Sequence, residues 1–91
     1  MKITIGIPAY NEEKSIALII TKLKKITDSI IVCDDGSSDM TAEISKNLGA
    51  TVISHKKNMG YGVAINSIFQ KSKELNVDLL VTFDADGQHR V

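Results

Sequence analysis

Leu79-Leu80-Val81-Thr82-Phe83-Asp84-Ala85-Asp86-Gly87-Gln88-His89 is the stretch on which the fold turns. Leu79 to Phe83 is an apolar, β-forming run, expected to be a buried strand. It delivers Asp84 and Asp86 to its carboxyl end, where a glycine turn and an amide follow. This Asp-x-Asp (DxD) spacing lets both carboxylates face one hard cation, because the residue between them turns away. Mg²⁺ and Mn²⁺ take such oxygen ligands and complete their shells with water and phosphate oxygens. In open α/β sheets, ligands sit just outside the carboxyl ends of strands, so the position suits a metal–phosphate site. A solvated acidic turn is the plainer reading of the same residues.

Working back toward the N-terminus, an apolar strand followed by a polar turn recurs. Ile3-Thr4-Ile5-Gly6-Ile7 reads as a short buried parallel strand ended by Pro8. Asn11 is placed to cap the next helix, with Glu12 and Glu13 at its positive end. Ile16, Ile19, Ile20, Leu23 and Ile26 recur at helical spacing, and Lys22, Lys24 and Lys25 close the helix as a solvated basic end. Ser29 to Asp34 forms a second apolar strand, and Asp34-Asp35-Gly36-Ser37-Ser38-Asp39 is a turn dense in acceptors. Ser38 or Asp39 caps a second helix with Met40, Ile44 and Leu48 on its buried stripe, and Gly49 stops it.

Ala50 to Ser54 is a third, less apolar strand, expected at a sheet edge. His55 has no second His or Cys at ligand spacing and reads as a surface residue. Asn58-Met59-Gly60-Tyr61-Gly62 leads into a third helix with Ala64, Ile65, Ile68, Phe69 and Ser72 inward, punctuated by Asn76. The Gly60-x-Gly62 pair lacks the third glycine of a dinucleotide fingerprint and does not follow the first strand, so it is a poor dinucleotide signal. Strand and helix thus alternate three times before the last strand. That pattern predicts a three-layer α/β/α, Rossmann-like parallel sheet with right-handed crossovers. Glu12, Asp34, Asp35, Asp84 and Asp86 then share one rim, which requires cations or ligand donors.

Composition narrows the function classes. Ninety-one residues allow one domain with a small core. Lys plus Arg total 11, as do Asp plus Glu, so no global basic field points to nucleic acid. Cys33 is alone inside an apolar run, expected as a buried free thiol with no disulfide framework, which fits a cytoplasmic setting. No apolar run is long enough to span a bilayer, and Met1-Lys2 runs straight into a strand without a signal peptide.

Four segments together resemble the inverting nucleotide-sugar glycosyltransferases, in particular the dolichyl-phosphate mannose synthase type. They are Pro8-Ala9-Tyr10-Asn11-Glu12, Asp34-Asp35-Gly36-Ser37-Ser38-Asp39, Asn58-x-Gly60-x-Gly62-x-Ala64 and Asp84-Ala85-Asp86-Gly87-Gln88-His89. The resemblance implies the N-terminal, nucleotide-binding half of an A-type glycosyltransferase fold, with strands in spatial order 3-2-1-4. Residues 1–91 would be one incomplete domain of a longer protein.

The resemblance also implies roles. Pro8, Tyr10 and Glu12 would line a nucleoside pocket, and Asp35 would accept a hydrogen bond from the base. Asp84 and Asp86 would hold the ribose-diphosphate and its Mg²⁺ or Mn²⁺, with Gln88 completing the metal shell. Asp34, Ser38 and Asp39 would shape their turn, and Gly60 and Gly62 would pack near the nucleotide. The donor would be a UDP- or GDP-linked sugar. The Gln88-His89 pair leans toward a polyprenyl-phosphate acceptor, which would bring the full-length protein to a membrane. Any acceptor base would lie outside this chain, so the chain alone is expected to bind nucleotide weakly and transfer nothing.

The last strand would leave an open apolar edge that favours self-association; a clean monomer in equilibrium sedimentation would count against that. The competing readings are a receiver-like signalling domain, a nucleotidyltransferase relative, and a nucleotide- or sugar-nucleotide-binding module without transfer activity.

Overall fold

The computed structural model describes residues 2–85. The elements run β1 (Ile3–Ala9), α1 (Ile16–Leu23), β2 (Ile30–Asp34), α2 (Thr41–Asn47), β3 (Thr51–Ser54), α3 (Tyr61–Glu74) and β4 (Leu79–Thr82). All pairings are parallel and the sheet order is β3-β2-β1-β4, as expected. The chain winds outward from β1 to β3, then returns across the sheet to β4. The order therefore reverses between β1 and β4, which is where open α/β sheets place their ligands.

The period-two alternation of each central strand feeds two cores. Ile5, Ile7, Ile30 and Val32 face Ile16, Ile20 and Leu23 of α1, with Ile44 of α2 and Leu48, just after it, packed beside them. Ile31 and Cys33 face Ala64 and Ile68 of α3. Gly6 lies on this second face, and a Cβ there would stand 2.5 Å from Cγ2 of Ile68, which is fully buried. The missing side chain is what lets α3 lie against β1.

Several expectations shift in three dimensions. β1 does not end at Pro8 but runs to Ala9. Gly6 O accepts from Phe83 N toward β4, and Ala9 O accepts from Asp35 N toward β2. By the same alternation Pro8 faces β4, whose ladder has already stopped, so its missing N–H costs no bond. Asn11 is not a helix cap. It turns the chain at φ 52°, accepts from Ser38 N at 2.9 Å, and donates its own N–H to Ser37 Oγ at 2.8 Å. α1 begins only at Ile16, so Glu12 and Glu13 serve the neighbouring loop instead of the helix end. Glu12 N donates to Thr41 Oγ1, Glu13 N to Asp39 Oδ2, and Glu13 Oε1 accepts from Met40 N.

The helical stripes are narrower than expected. Ala64, Ile68 and Ser72 are buried at i, i+4 and i+8, whereas Phe69 is exposed, one position off that row. Met40 precedes α2 and is exposed, while Thr41 and Ser45 are the buried positions. Ile26 lies beyond the end of α1 and is exposed. Lys24 follows α1 and donates to Leu48 O at 2.8 Å, so one lysine of that basic end is held.

β4 is not buried. Its register with β1 puts Leu79 and Val81 on the face that α1 and α2 cover. Leu79, Val81 and the following Phe83 nevertheless lie outside the buried cluster beneath those helices and stay 43–45% exposed. Gly49 (φ 94°) and Asn76 (φ 55°) stop their helices in left-handed conformations, as expected. Among the described residues, no helix is long and apolar enough to cross a membrane.

The Gly6–Ile68 contact gives a direct test. Gly6→Ala should destabilise the protein by about 1–3 kcal/mol, as overpacking of a closed core does. Urea unfolding would measure it, and an unchanged midpoint would show that α3 does not lie this close to β1.

Candidate functional site: a cleft at the point where the strand order reverses

The carboxyl ends of β1, β2 and β4 and the first turn of α3 enclose a cleft of about 350 Å³, within the size range of small-molecule sites. Pro8, Tyr10 and Glu12 line it from the β1 side, Asp35 from β2, and Asp84 from β4. Asn58, Gly60 and Tyr61 close it from the β3–α3 loop. Asp34 does not line it; its Oδ1 accepts from Ser37 N at 3.2 Å and shapes the turn. Asp39 likewise accepts from Thr41 N and Oγ1. Asp86, Gln88 and His89 lie outside the described residues.

Asp35 is the most constrained polar group in the cleft. Oδ1 accepts from Met59 N at 2.9 Å and faces His55 Nδ1 at 2.8 Å. Oδ2 accepts from Gly60 N at 3.0 Å. Burial by itself would raise the carboxyl's pKa. The hydrogen bonds from His55, Met59 and Gly60 outweigh burial and hold it below the ordinary carboxylate range.

Two glycines permit this arrangement. Gly36 sits at φ 80°, and a Cβ there would collide with the backbone of Lys57 and Asn58. Gly60 takes φ 102°, a conformation that side chains strain. Apart from the chain neighbours and the turn of α3 itself, no described atom comes within 4 Å of a Cβ built at Gly60 or Gly62, so packing within the protein requires neither glycine. They open the first turn of α3, which faces the cleft and solvent rather than the sheet. Gly60 is there for its backbone angle and its N–H.

His55 corrects the surface reading. It continues β3 by one residue, its N–H donating to Asp34 O, and its side chain is only 11% exposed. Besides Asp35, its ring meets Ser67 Oγ at 2.9 Å and Cys33 Sγ at 3.7 Å. The available signal was its place: one step past a strand end, on the same rim as Asp35. Tyr61 is a second residue that sequence reasoning missed. Its hydroxyl reaches Asp84 Oδ1 at 3.4 Å, and its pKa is raised, first by burial and then by the Asp84 charge.

Asp84 stands exposed on the cleft rim. A carboxylate oxygen there fits a hard divalent cation. Among the described residues, no three His, Cys, Asp or Glu side chains cluster tightly enough to hold a metal by themselves.

Residues 4–91 match the sequence pattern of glycosyl transferase family 2 across nearly the whole chain. The chain belongs to that family. Membership sets aside the receiver-like reading. A UDP-N-acetylglucosamine–dolichyl-phosphate N-acetylglucosaminyltransferase of Methanococcus voltae is 41% identical over 91% of this chain and 40% of its own length. An undecaprenyl-phosphate 4-deoxy-4-formamido-L-arabinose transferase of Photorhabdus laumondii is 35% identical over 97% of this chain and 30% of its own. Among solved structures, glucosyl-3-phosphoglycerate synthase of Mycobacterium tuberculosis, in complex with Mn²⁺, UDP and glucosyl-3-phosphoglycerate, superposes with a TM-score of 0.75. It is 28% identical, over 93% of this chain and 33% of that one. The family chain thus spans about 40% or less of these relatives. It has the sheet order implied for the N-terminal part of the A-type fold.

The lowered Asp35 pKa fixes the sign of a pH effect. On unfolding, the carboxyl returns to about 3.9, so the unfolded chain takes up the proton first as pH falls. The stability that Asp35 contributes is complete above that value and is lost as pH drops through the lower folded one. Asp39, also lowered against its burial by bonds from Thr41 and Glu13, acts in the same direction. Urea midpoints measured from pH 6 to pH 2 should fall below about pH 4. Asp35→Asn should be less stable at neutral pH and show a shallower acid decline. An identical decline would remove Asp35 from the account.

Proposed function

We propose that the cleft is the donor site of a glycosyltransferase that moves a sugar from a nucleotide diphosphate to a polyprenyl phosphate, with inversion. One observation carries the reading: Pro8, Tyr10, Glu12, Asp35 and Asp84, from three different strand ends, line a single cleft in a family 2 chain. The relatives' names support the acceptor class and the bound UDP of the solved neighbour supports the donor class. A polyprenyl acceptor would bring the whole protein to a membrane surface.

The chemistry of Asp35 favours a UDP-linked sugar. A carboxylate oxygen has two acceptor positions. Oδ1 uses both, toward His55 and Met59, while Oδ2 uses one, toward Gly60. One position remains, matching the single imide N–H of uracil better than the paired N–H groups of guanine. Pro8 and Tyr10 would flank the nucleoside, with Glu12 beside them.

Asp84, with Asp86 and Gln88, would hold Mg²⁺ or Mn²⁺ against the diphosphate. When bound, that cation supplies positive charge to the leaving group. In the reaction, an acceptor oxygen bonds to the anomeric carbon as the bond to the diphosphate oxygen breaks on the opposite face. A phosphate acceptor arrives already anionic and needs no base, whereas a hydroxyl would need one from outside residues 1–91. The same missing portion would cover Leu79, Val81 and Phe83, which a second copy would otherwise cover.

Calorimetric titration of the full-length protein with UDP and GDP, each with and without Mn²⁺, tests the donor site. UDP should bind more tightly than GDP, and Mn²⁺ should strengthen binding at least tenfold, on the order of a charge-assisted interaction. Asp84→Ala should erase the Mn²⁺ gain and leave the fold intact. A folded protein that binds neither nucleotide would overturn the reading.

A further inference from the structure

Asp35, His55 and Ser67 come from three separate elements and meet in one line. Asp35 follows β2, His55 follows β3, and Ser67 sits in the middle of α3. Oδ1 of Asp35 is 2.8 Å from His55 Nδ1, and His55 Nε2 is 2.9 Å from Ser67 Oγ. An ionised carboxylate only accepts, so Nδ1 carries a hydrogen. In that tautomer of the neutral ring, Nε2 accepts from the Ser67 hydroxyl. Cys33 Sγ also approaches Nε2, at 3.7 Å. Burial first, then the charges of Asp35 and Asp34, push that thiol up to about 12, so it stays a neutral S–H beside the ring. The His55 backbone is fixed as well, by its N–H to Asp34 O at 2.9 Å.

We propose that His55 and Ser67 are positioning residues for donor-base selection: Ser67 orients the His55 ring, and the ring saturates Asp35 Oδ1, leaving one acceptor position on Oδ2 open to the cleft. This rests on the donor-site reading above. Without His55, Oδ1 keeps only Met59 N, and the carboxylate offers an acceptor position on each oxygen. Two open positions no longer distinguish a base with one donor from a base with two. The selectivity of the site thus comes from a residue that is absent from the cleft lining.

A serine–histidine–aspartate line also describes nucleophilic catalysis. Here Ser67 lies inside a 14-residue helix, so the backbone N–H groups beside it are spent on helical bonds. No donors of that kind remain to hold an oxyanion. The line ends at the cleft through Asp35, which makes it a support for that carboxylate.

The test compares UDP, GDP and N3-methyl-UDP, which lacks the imide N–H, by calorimetry on the full-length protein with Mn²⁺. The wild type should prefer UDP over both. His55→Ala should weaken UDP by about tenfold, the scale of one hydrogen bond to a charged group, and narrow both preferences. His55→Asn should restore them in part, since its amide nitrogen falls near the position of Nδ1. Ser67→Ala removes one hydroxyl and should narrow the preferences to a lesser degree; it carries the test if His55→Ala does not fold. ¹⁵N shifts of the wild-type ring should show a protonated Nδ1.

A role in folding alone would weaken all three nucleotides equally and leave their ratios unchanged. Unchanged ratios in these variants, or an unprotonated Nδ1, would overturn the relay while leaving the donor site in place. A wild type that binds none of the three would overturn the donor site and the relay with it.

Discussion

The carboxylate of Asp35 ties the end of β2 to the loop between β3 and α3. Its bonds to Met59 N, Gly60 N and His55 Nδ1 all cross between segments more than 19 residues apart in sequence. An unpaired carboxylate at this depth would carry a large desolvation cost. The three donors offset it, and in doing so they fix where α3 starts. Tyr61, Asn58 and the wall of the cleft follow from that start. The same group that holds the loop also lines the cleft, so removing it would disturb the loop and the cleft together.

The cleft exists because three local features remove material where the strand order reverses. Gly6 brings α3 down onto β1, Gly36 brings the β2–α2 turn against Lys57 and Asn58, and Pro8 ends the need for ladder bonds on the side facing β4. On the other side, Asn11 in its left-handed turn lets the β1–α1 loop exchange bonds with residues 37 to 41. Two loops thus latch to each other and a third is tied by Asp35. Among the described residues, a four-stranded sheet has its rim tied together by these means.

The alternation of strands and helices was legible because each apolar run has the right period and is followed by a stop, such as Gly49 or Asn76. The rim of acids was legible from strand ends alone, and Asp35 and Asp84 reach the cleft as expected. What was not legible depends on neighbours distant in sequence. His55 looked like a surface residue because its partners are 12, 20 and 22 positions away. Asn11 looked like a cap because a local rule cannot see Ser37 and Ser38. Phe69 and Val81 looked buried because apolar character does not reveal which side of an element is covered.

A crystal structure of the full-length protein with UDP and Mn²⁺ would show the geometry at Asp35 itself. The uracil ring should lie in the cleft between Pro8 and Tyr10, its imide N–H on Asp35 Oδ2, with the bonds from Met59, Gly60 and His55 intact. A nucleotide bound elsewhere, or an Asp35 carboxylate that lets go of the loop to reach the base, would contradict it.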